Sequence, residues 1–269
     1  MNNMIENLQN LEGWFNQFSS QAIIAFSGGV DSCLVTFLAR KFLGKENALA
    51  VISASPSLKQ SDLMIGKRFC EENDINFKII ETNEIDDPNY FTNPHNRCYF
   101  CKTYLYSDLK LISERFTGSK ILNGQNYDDL ADYRPGIKAA KEFQVLTPLA
   151  DCKLTKNDVR SLAEYFNLST WDKPASPCLS SRIPYGEEVT IQKLRNIEAA
   201  ENILNEYGFN EVRVRNYSSI AKIEVPKDRI NDLTRVKDEV VNKIIEIGFS
   251  NCEIDNEGLV TGKLNRVIT

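Results

Sequence analysis

A short apolar run, Ala22-Ile23-Ile24-Ala25-Phe26, ends at Ser27-Gly28-Gly29-Val30-Asp31-Ser32, and the chain resumes at once as an apolar segment at helical spacing through Leu34, Val35, Leu38 and Phe42. Strand, glycine turn and helix in immediate succession leave little choice of architecture. The paired glycines admit backbone conformations closed to other residues, so successive N–H groups can converge on an anion. The helix that follows adds the positive end of its dipole. Ser27 and Ser32 contribute hydroxyl donors, and Asp31 is suited to hold a divalent cation such as magnesium against phosphate oxygens. An ordinary glycine turn with a Ser or Asp cap is the plain alternative, and it would be preferred for a bare Gly-Gly. The complete hexapeptide directly after a buried strand favours phosphate binding. The Gly-Lys-Ser/Thr ending of a Walker A loop is missing.

The rest of the first two thirds alternates in the same way. A helix is expected first, with Met4, Leu8, Leu11, Phe15 and Phe18 at its spacing. Strands are expected at 48–53, 76–82 and 120–123, and helices at 61–72, 99–116, 130–142 and 157–166, the last starting near Thr155. Such alternation implies an α/β fold: a parallel sheet with helices on both faces. A Pro- and Ser-rich loop, residues 173–186, then closes a first domain of residues 1–186. Residues 187–269 read as a smaller α+β domain with a helix at 190–207, strands at 211–217 and 220–225, a helix at 229–247 and a short strand near Cys252. No internal repeat or low-complexity tract is present.

Composition narrows the partners. The 269 residues are 42% hydrophobic, enough for a sizeable core, and the formal net charge is −5. A chain that grips a long nucleic acid usually carries a basic surface, so nucleic acid is not an expected partner. No apolar run reaches the roughly 18 residues of a membrane span, and no membrane partner is expected. The polar, amphipathic N-terminus lacks the basic start and apolar middle of a signal peptide, so a cytoplasmic location is expected. Seven cysteines, an odd number without an export signal, argue against a disulfide framework. The single histidine, His95, leaves little room for Ser-His or Cys-His chemistry.

Two further features carry chemistry. Asn123-Gly124-Gln125-Asn126-Tyr127-Asp128-Asp129 ends a strand, where open α/β sheets bind ligands. Its alternative is a polar turn with a helix cap. Cys98-Tyr99-Phe100-Cys101 is a lone CxxC, open to a zinc knuckle, a redox pair or chance; a structural zinc site would want a second pair. Cys178 lies in the Pro/Ser-rich loop near Arg182, where a nearby cation can make a thiol reactive. Three thiolates from the CxxC and Cys178 would hold three irons of a [4Fe–4S] cluster and leave the fourth open to a sulfide or a substrate. Cys33, Cys70, Cys152 and Cys252 read as structural, since free cysteine is often a small buried apolar residue.

The hexapeptide resembles the PP-loop, SGGxDS, of enzymes that split ATP between its α and β phosphates and form an adenylated intermediate. The segment after the strand is similar to the GxNxDD segment of PP-loop enzymes of this size. The candidate ATP contacts are therefore Ser27, Gly28, Gly29, Asp31, Ser32, Gly124, Asp128 and Asp129, with Ala25 and Ser53 on the first two strands. Over nearly the whole chain the sequence resembles the LarE family, ATP-dependent sulfur transferases of nickel-pincer nucleotide cofactor biosynthesis. The resemblance rests on Ser27–Ser32, on 97–102 (RCYFCK), on 124–136 (GQNYDDLADYRPG), on 154–163 and on 178–187 (CLSSRIPYGE).

That resemblance implies adenylation of a carboxylate of a pyridinium dicarboxylate mononucleotide, followed by displacement of AMP by sulfur to give a thiocarboxylate. Members with only the cysteine matching Cys178 give up its own sulfur and are left with dehydroalanine. Those that also have the CxxC resemble iron–sulfur enzymes, so Cys98, Cys101 and Cys178 are the expected catalytic thiols and cluster ligands, with sulfide or another sulfur donor as partner. Arg213 and Arg215, two apart on a strand and so on one face, match positions that hold the substrate phosphate, where two guanidinium groups make a good clamp. Glu201 matches an acidic site residue, and Arg182 would orient the acyl-adenylate or tune the thiol. A solvated surface charge is the plain alternative for Arg213, Arg215 and Glu201. A homo-oligomer is implied as well. The chemistry is coherent in itself: adenylation makes a carboxylate oxygen a good leaving group, and the nucleophile must be soft and ionised at neutral pH. The competing readings are a tRNA-thiolating PP-loop enzyme, an amide-forming ligase such as an NAD synthetase, and a nucleotide- or zinc-binding module without turnover.

Overall fold

The predicted alternation folds as a four-stranded parallel sheet in the order β3-β2-β1-β4. The computed structural model describes residues 2–17, 20–131, 134–260 and 262–267. In chain order the elements are α1 (Asn2–Phe15), β1 (Ala22–Ala25), α2 (Val30–Leu43), β2 (Ala48–Ser53), α3 (Gln60–Glu72), β3 (Asn76–Ile80), α4 (Pro88–Phe91), α5 (Arg97–Ser113), β4 (Lys120–Leu122), α6 (Gly136–Glu142), α7 (Pro148–Asp151) and α8 (Lys156–Tyr165). β1 is central and buried throughout, which is why its sequence is uninterrupted apolar. Its side chains alternate between two cores. Ile24 joins Leu11, Phe15, Leu34, Leu38, Phe69 and Leu162 on one face. Ile23 and Ala25 join Leu105, Tyr106, Leu109 and Ala139 on the other.

Two expected helices come out differently. Residues 130–142 do not form one helix: Asp128–Ala131 is a 3-10 turn and α6 starts only at Gly136. Pro135 disfavours helical backbone at the residue before it. Asn126 already caps the turn, its Oδ1 accepting from the N–H of Asp128 at 3.0 Å and of Asp129 at 3.3 Å. Positions 132 and 133 of that expected helix lie outside the described residues. The expected helix at 229–247 breaks at Val236 into α10 (Ile230–Arg235) and α11 (Lys237–Glu246). Just before the break the Thr234 hydroxyl bonds back to Ile230 O at 2.9 Å, a contact that bends helices.

The chain divides into two compact units, Met1–Glu84 with Cys98–Ser176, and Ile85–Arg97 with Pro177–Thr269. The division falls before Pro177 rather than after Gly186, because 177–189 is hydrogen-bonded to the excursion 85–97. The Asn93 amide donates to Ile183 O at 3.2 Å and Pro184 O at 2.7 Å, and Tyr90 Oη meets Ser180 Oγ at 2.6 Å. Gly186 N–H donates to Asn93 O and Val189 N–H to Phe91 O. The second unit adds α9 (Ile191–Glu206) and a sheet of β5 (Arg213–Tyr217), β6 (Ile220–Glu224) and β7 (Asn251–Ile254), in that order.

In the first unit β4 pairs with β1 on the side away from β2, so the strand order reverses at β1. Doubly wound sheets hold ligands past the carboxyl ends of the strands at such a reversal. Gly124, just after β4, lies against the start of α2. A Cβ there would stand 2.6 Å from Ser32 N and 2.9 Å from Asp31 C, both backbone atoms. Gly124→Ala is therefore expected to cost about 1–3 kcal/mol by overpacking, measured by urea denaturation. An unchanged midpoint would show that the two backbones can part.

Candidate functional site

The loop after β1 leaves the sheet at Phe26, whose N–H still donates to Val51 O at 2.9 Å. Gly28 takes a φ of +70°, which favours glycine, and Gly29 is the N-cap of α2 without any side-chain cap bond. The first amides of the helix are thus left without a capping side chain. Ser32 organises the turn: its hydroxyl donates to Gly29 O at 3.0 Å, accepts from Ser27 N–H at 3.3 Å and lies 3.1 Å from Ser27 Oγ. At the ends of the neighbouring strands Ser53 Oγ and Thr82 Oγ1 are 2.9 Å apart.

Asp31 gathers the second segment. Asn126 Nδ2 donates to its Oδ1 at 3.0 Å, and Lys156 Nζ pairs with its Oδ2. Lys156 also donates its backbone N–H to Asp128 Oδ2 at 2.8 Å. Asp129 points differently. It accepts from Asn126 N–H at 3.2 Å and pairs with Arg134 at 2.7 Å, while burial raises its carboxyl above the usual range. Asp31 and Asp128 thus meet around Lys156, and Asp129 serves the turn. Sequence reasoning gave Asn126 and Lys156 no role. One signal was available: Lys156 follows the Thr155 cap of α8, a first-turn position whose dipole disfavours a cation. Among the described residues no three His, Cys, Asp or Glu side chains are grouped to hold a metal ion.

The seven thiols fall into two sets. Cys33 is pushed up to about 12, Cys70 to about 12, Cys152 to about 11 and Cys252 to about 11, each chiefly by burial. Such thiols are poor nucleophiles and metal ligands at neutral pH. Cys98 is exposed and Cys101 half-buried, three residues apart in the first turn of α5 and so on one helix face. Cys178 is exposed at the head of a 3-10 turn, Leu179–Arg182. His95 packs its ring on Tyr185, with centroids 4.6 Å apart.

Arg182, Glu201 and Arg215 in the second unit are not solvated surface groups. Arg182 and Glu201, both 2% exposed, form a buried pair at 2.8 Å. The same guanidinium donates to Pro177 O at 2.7 Å, Cys178 O at 3.3 Å and Ser181 Oγ at 3.0 Å. Glu201 Oε1 also accepts from Val214 N–H at 3.1 Å. Arg215 pairs with buried Glu224 at 2.8 Å and donates to Ser181 O at 2.6 Å, and Lys263 reaches the other Glu224 oxygen at 3.2 Å. Arg213 is different. It is half-buried, and its guanidinium makes no hydrogen bond or ion pair with any described residue. Burial lowers its guanidinium below the usual range, helped by the nearby charges of Arg215 and Arg182.

The NAD synthase family model matches residues 9–95. The chain is 43% identical to an uncharacterized protein of Synechocystis sp. over 97% of its own length and 98% of that protein. It is 34% identical to the pyridinium-3,5-bisthiocarboxylic acid mononucleotide synthase of Lactiplantibacillus plantarum, over 91% of this chain and 89% of that protein. The chain belongs to the LarE family. An NH(3)-dependent NAD(+) synthetase of Fusobacterium nucleatum is 42% identical, but over only 28% of each chain. The LarE-family likeness spans both units, and the chain is an ATP-dependent sulfurtransferase with a PP-loop. No described helix is long and apolar enough to cross a membrane.

The division of the thiols within this LarE-family chain is directly measurable. In protein freed of any metal, an aromatic disulfide reagent at pH 8 is expected to modify exposed Cys98 and Cys178 within minutes, and to reach buried Cys33, Cys70 and Cys252 only on unfolding. Peptide mapping gives the sites, and rapid labelling of Cys33 or Cys70 would contradict the assignment.

Proposed function

We propose that the chain acts in the cytoplasm to adenylate a carboxylate of a pyridinium dicarboxylate mononucleotide and convert it to a thiocarboxylate. The observation that carries this reading is the exposure of two thiols the reaction would need, Cys98 and Cys178, with Cys101 half-buried one helical turn from Cys98. The fold supplies an anion-binding loop for the first half-reaction. The N–H groups at the start of α2 would hold the departing pyrophosphate, with Ser27 and Ser32 beside them. A carboxylate oxygen of the substrate attacks the α phosphorus, and the bond to the β-phosphate oxygen breaks. Asp31 would hold Mg2+, aided by Asp128, and the ion would neutralise charge on the pyrophosphate. Ala25, Ser53 and Gly124 would line the nucleotide, with Asp129 fixing the turn that carries Asp128.

In the second half-reaction a sulfur nucleophile attacks the acyl carbon, and AMP leaves with the bonding electron pair on its phosphate oxygen. Cys98, Cys101 and Cys178 are the thiols that would serve a [4Fe–4S] cluster. They would hold three of its irons, and the cluster would supply a soft sulfur at neutral pH. Arg182 anchors the backbone at Cys178. Arg213 would bind the substrate phosphate, with Arg215 behind it and Glu201 holding Arg182 in place. A homo-oligomer and an external sulfur donor belong to the same proposal.

Protein purified without oxygen is expected to contain about four irons and four or five acid-labile sulfides per chain, lost in Cys98→Ala. Absence of iron would shift the sulfur source to Cys178 itself, seen as loss of sulfur from that residue by mass after incubation with ATP and substrate. Zinc instead of iron would mark a structural knuckle. The two arginines should also separate. Arg213→Ala is expected to weaken substrate binding by about 1.5–3 kcal/mol with an unchanged melting temperature. Arg215→Ala is expected to destabilise the fold by about 3 kcal/mol, because it removes a partner from buried Glu224. Equal effects on melting temperature would contradict this division.

A further inference from the structure

One lysine to which the reaction gives no role reaches the phosphate loop. Lys173, in the Pro- and Ser-rich stretch after α8, donates its ammonium to Gly28 O at 3.1 Å and pairs with Asp62 Oδ1 at 3.0 Å. Asp62, in the first turn of α3, accepts at its other oxygen from Ser176 Oγ at 2.7 Å. Both side chains are largely withdrawn from water, Lys173 at 16% and Asp62 at 11% exposed. The backbone is fixed as well. Arg160 on α8 donates to Trp171 O and Lys173 O, both at 3.1 Å, and Lys173 N–H donates to Thr170 O at 3.2 Å.

The peptide joining Gly28 to Gly29 is planar and trans, so its C=O and N–H point in opposite directions. Tying the oxygen to Lys173 therefore fixes where the Gly29 N–H points. That N–H donates to no described residue, and it begins the run of unsatisfied amides at the start of α2. A Gly-Gly peptide is also the one most able to flip, because glycine accepts either sign of φ at little cost. A flip would turn a carbonyl oxygen toward the phosphates in place of an N–H.

We infer that Lys173, supported by Asp62 and Ser176, is a positioning residue that holds the Gly28 carbonyl and so aims the Gly29 N–H at the β and γ phosphates of ATP. The inference rests on the nucleotide reading given above. Lys173 acts through the loop, and none of its atoms needs to touch ATP.

The test is calorimetric binding of MgATP, inorganic pyrophosphate and AMP to the full chain and its variants, with melting temperatures alongside. Lys173→Met is expected to weaken MgATP and pyrophosphate about tenfold, the value of one hydrogen bond to a charged group. AMP, which lacks the two outer phosphates, should change less than about twofold. Lys173→Arg keeps a donor and the charge, and should restore most of the loss. Asp62→Asn decides between positioning and direct contact, and also serves if Lys173→Met does not fold. A positioning lysine loses its support and pyrophosphate binding weakens. A lysine that itself touches phosphate would be freed of its counter-ion, and binding would hold or tighten. That second result would overturn the inference, as would equal weakening of all three ligands. Failure of the nucleotide reading would look different, since the unmodified chain would then not bind MgATP.

Discussion

Asp31 is the group on which the first unit's chemistry depends. It stands in the first turn of α2, where a carboxylate is favoured by the helix dipole. Asn126 reaches it from the segment after β4, and Lys156 from the start of α8. Three stretches far apart in sequence thus meet on one carboxylate at the reversal of the sheet. The pair is half-exposed, so its net stabilisation is small. Its effect is geometric. It places a cation and an amide beside the open N-terminus of α2, where the proposed function puts the triphosphate.

The close approach of Gly124 makes this meeting possible. With a side chain there, the end of β4 would have to move away from Ser32, and Asn126 would leave Asp31 with it. The same logic explains Gly28. Its left-handed backbone turns the chain so that Ser27 and Ser32 can share a hydrogen bond while the amides beyond remain unpaired. An anion site of this kind is built by withholding partners, and the glycines allow the chain to withhold them without a clash.

Much of this is legible in the sequence because it follows from local physics. The apolar run of β1, the glycine loop, and the Thr155 start of α8 with its Asp158 capping box are each encoded within a few residues. The extent of the second unit is not. Nothing in Asn93 foretells that its amide will bond Ile183 and Pro184, ninety residues on, and draw 85–97 out of the first unit. The break before α6 was readable from Pro135, but helical spacing on either side concealed it. Arg182 and Glu201 look like surface charges in sequence because their nineteen-residue separation hides a buried pair. Lys173 is similar: its partner Asp62 lies in another helix, and only the fold brings them together.

The second unit shows why buried ion pairs belong in such a site although they add little stability. Removing Arg182, Glu201, Arg215 and Glu224 from water costs about as much as their attraction returns. What the pairs achieve is direction. Arg182, gripped by Glu201, has its remaining N–H groups aimed at the carbonyls of Pro177 and Cys178. Arg215, gripped by Glu224, has one aimed at Ser181 O. The turn that carries the exposed Cys178 thiol is therefore held by two guanidinium groups whose own positions are fixed by buried carboxylates. Arg213 has no carboxylate bonded to it; burial and the charges of Arg215 and Arg182 work against its charge, and those of Glu224 and Glu201 work for it. Under the proposed function, the phosphate of the substrate is the partner that the Arg213 side chain lacks.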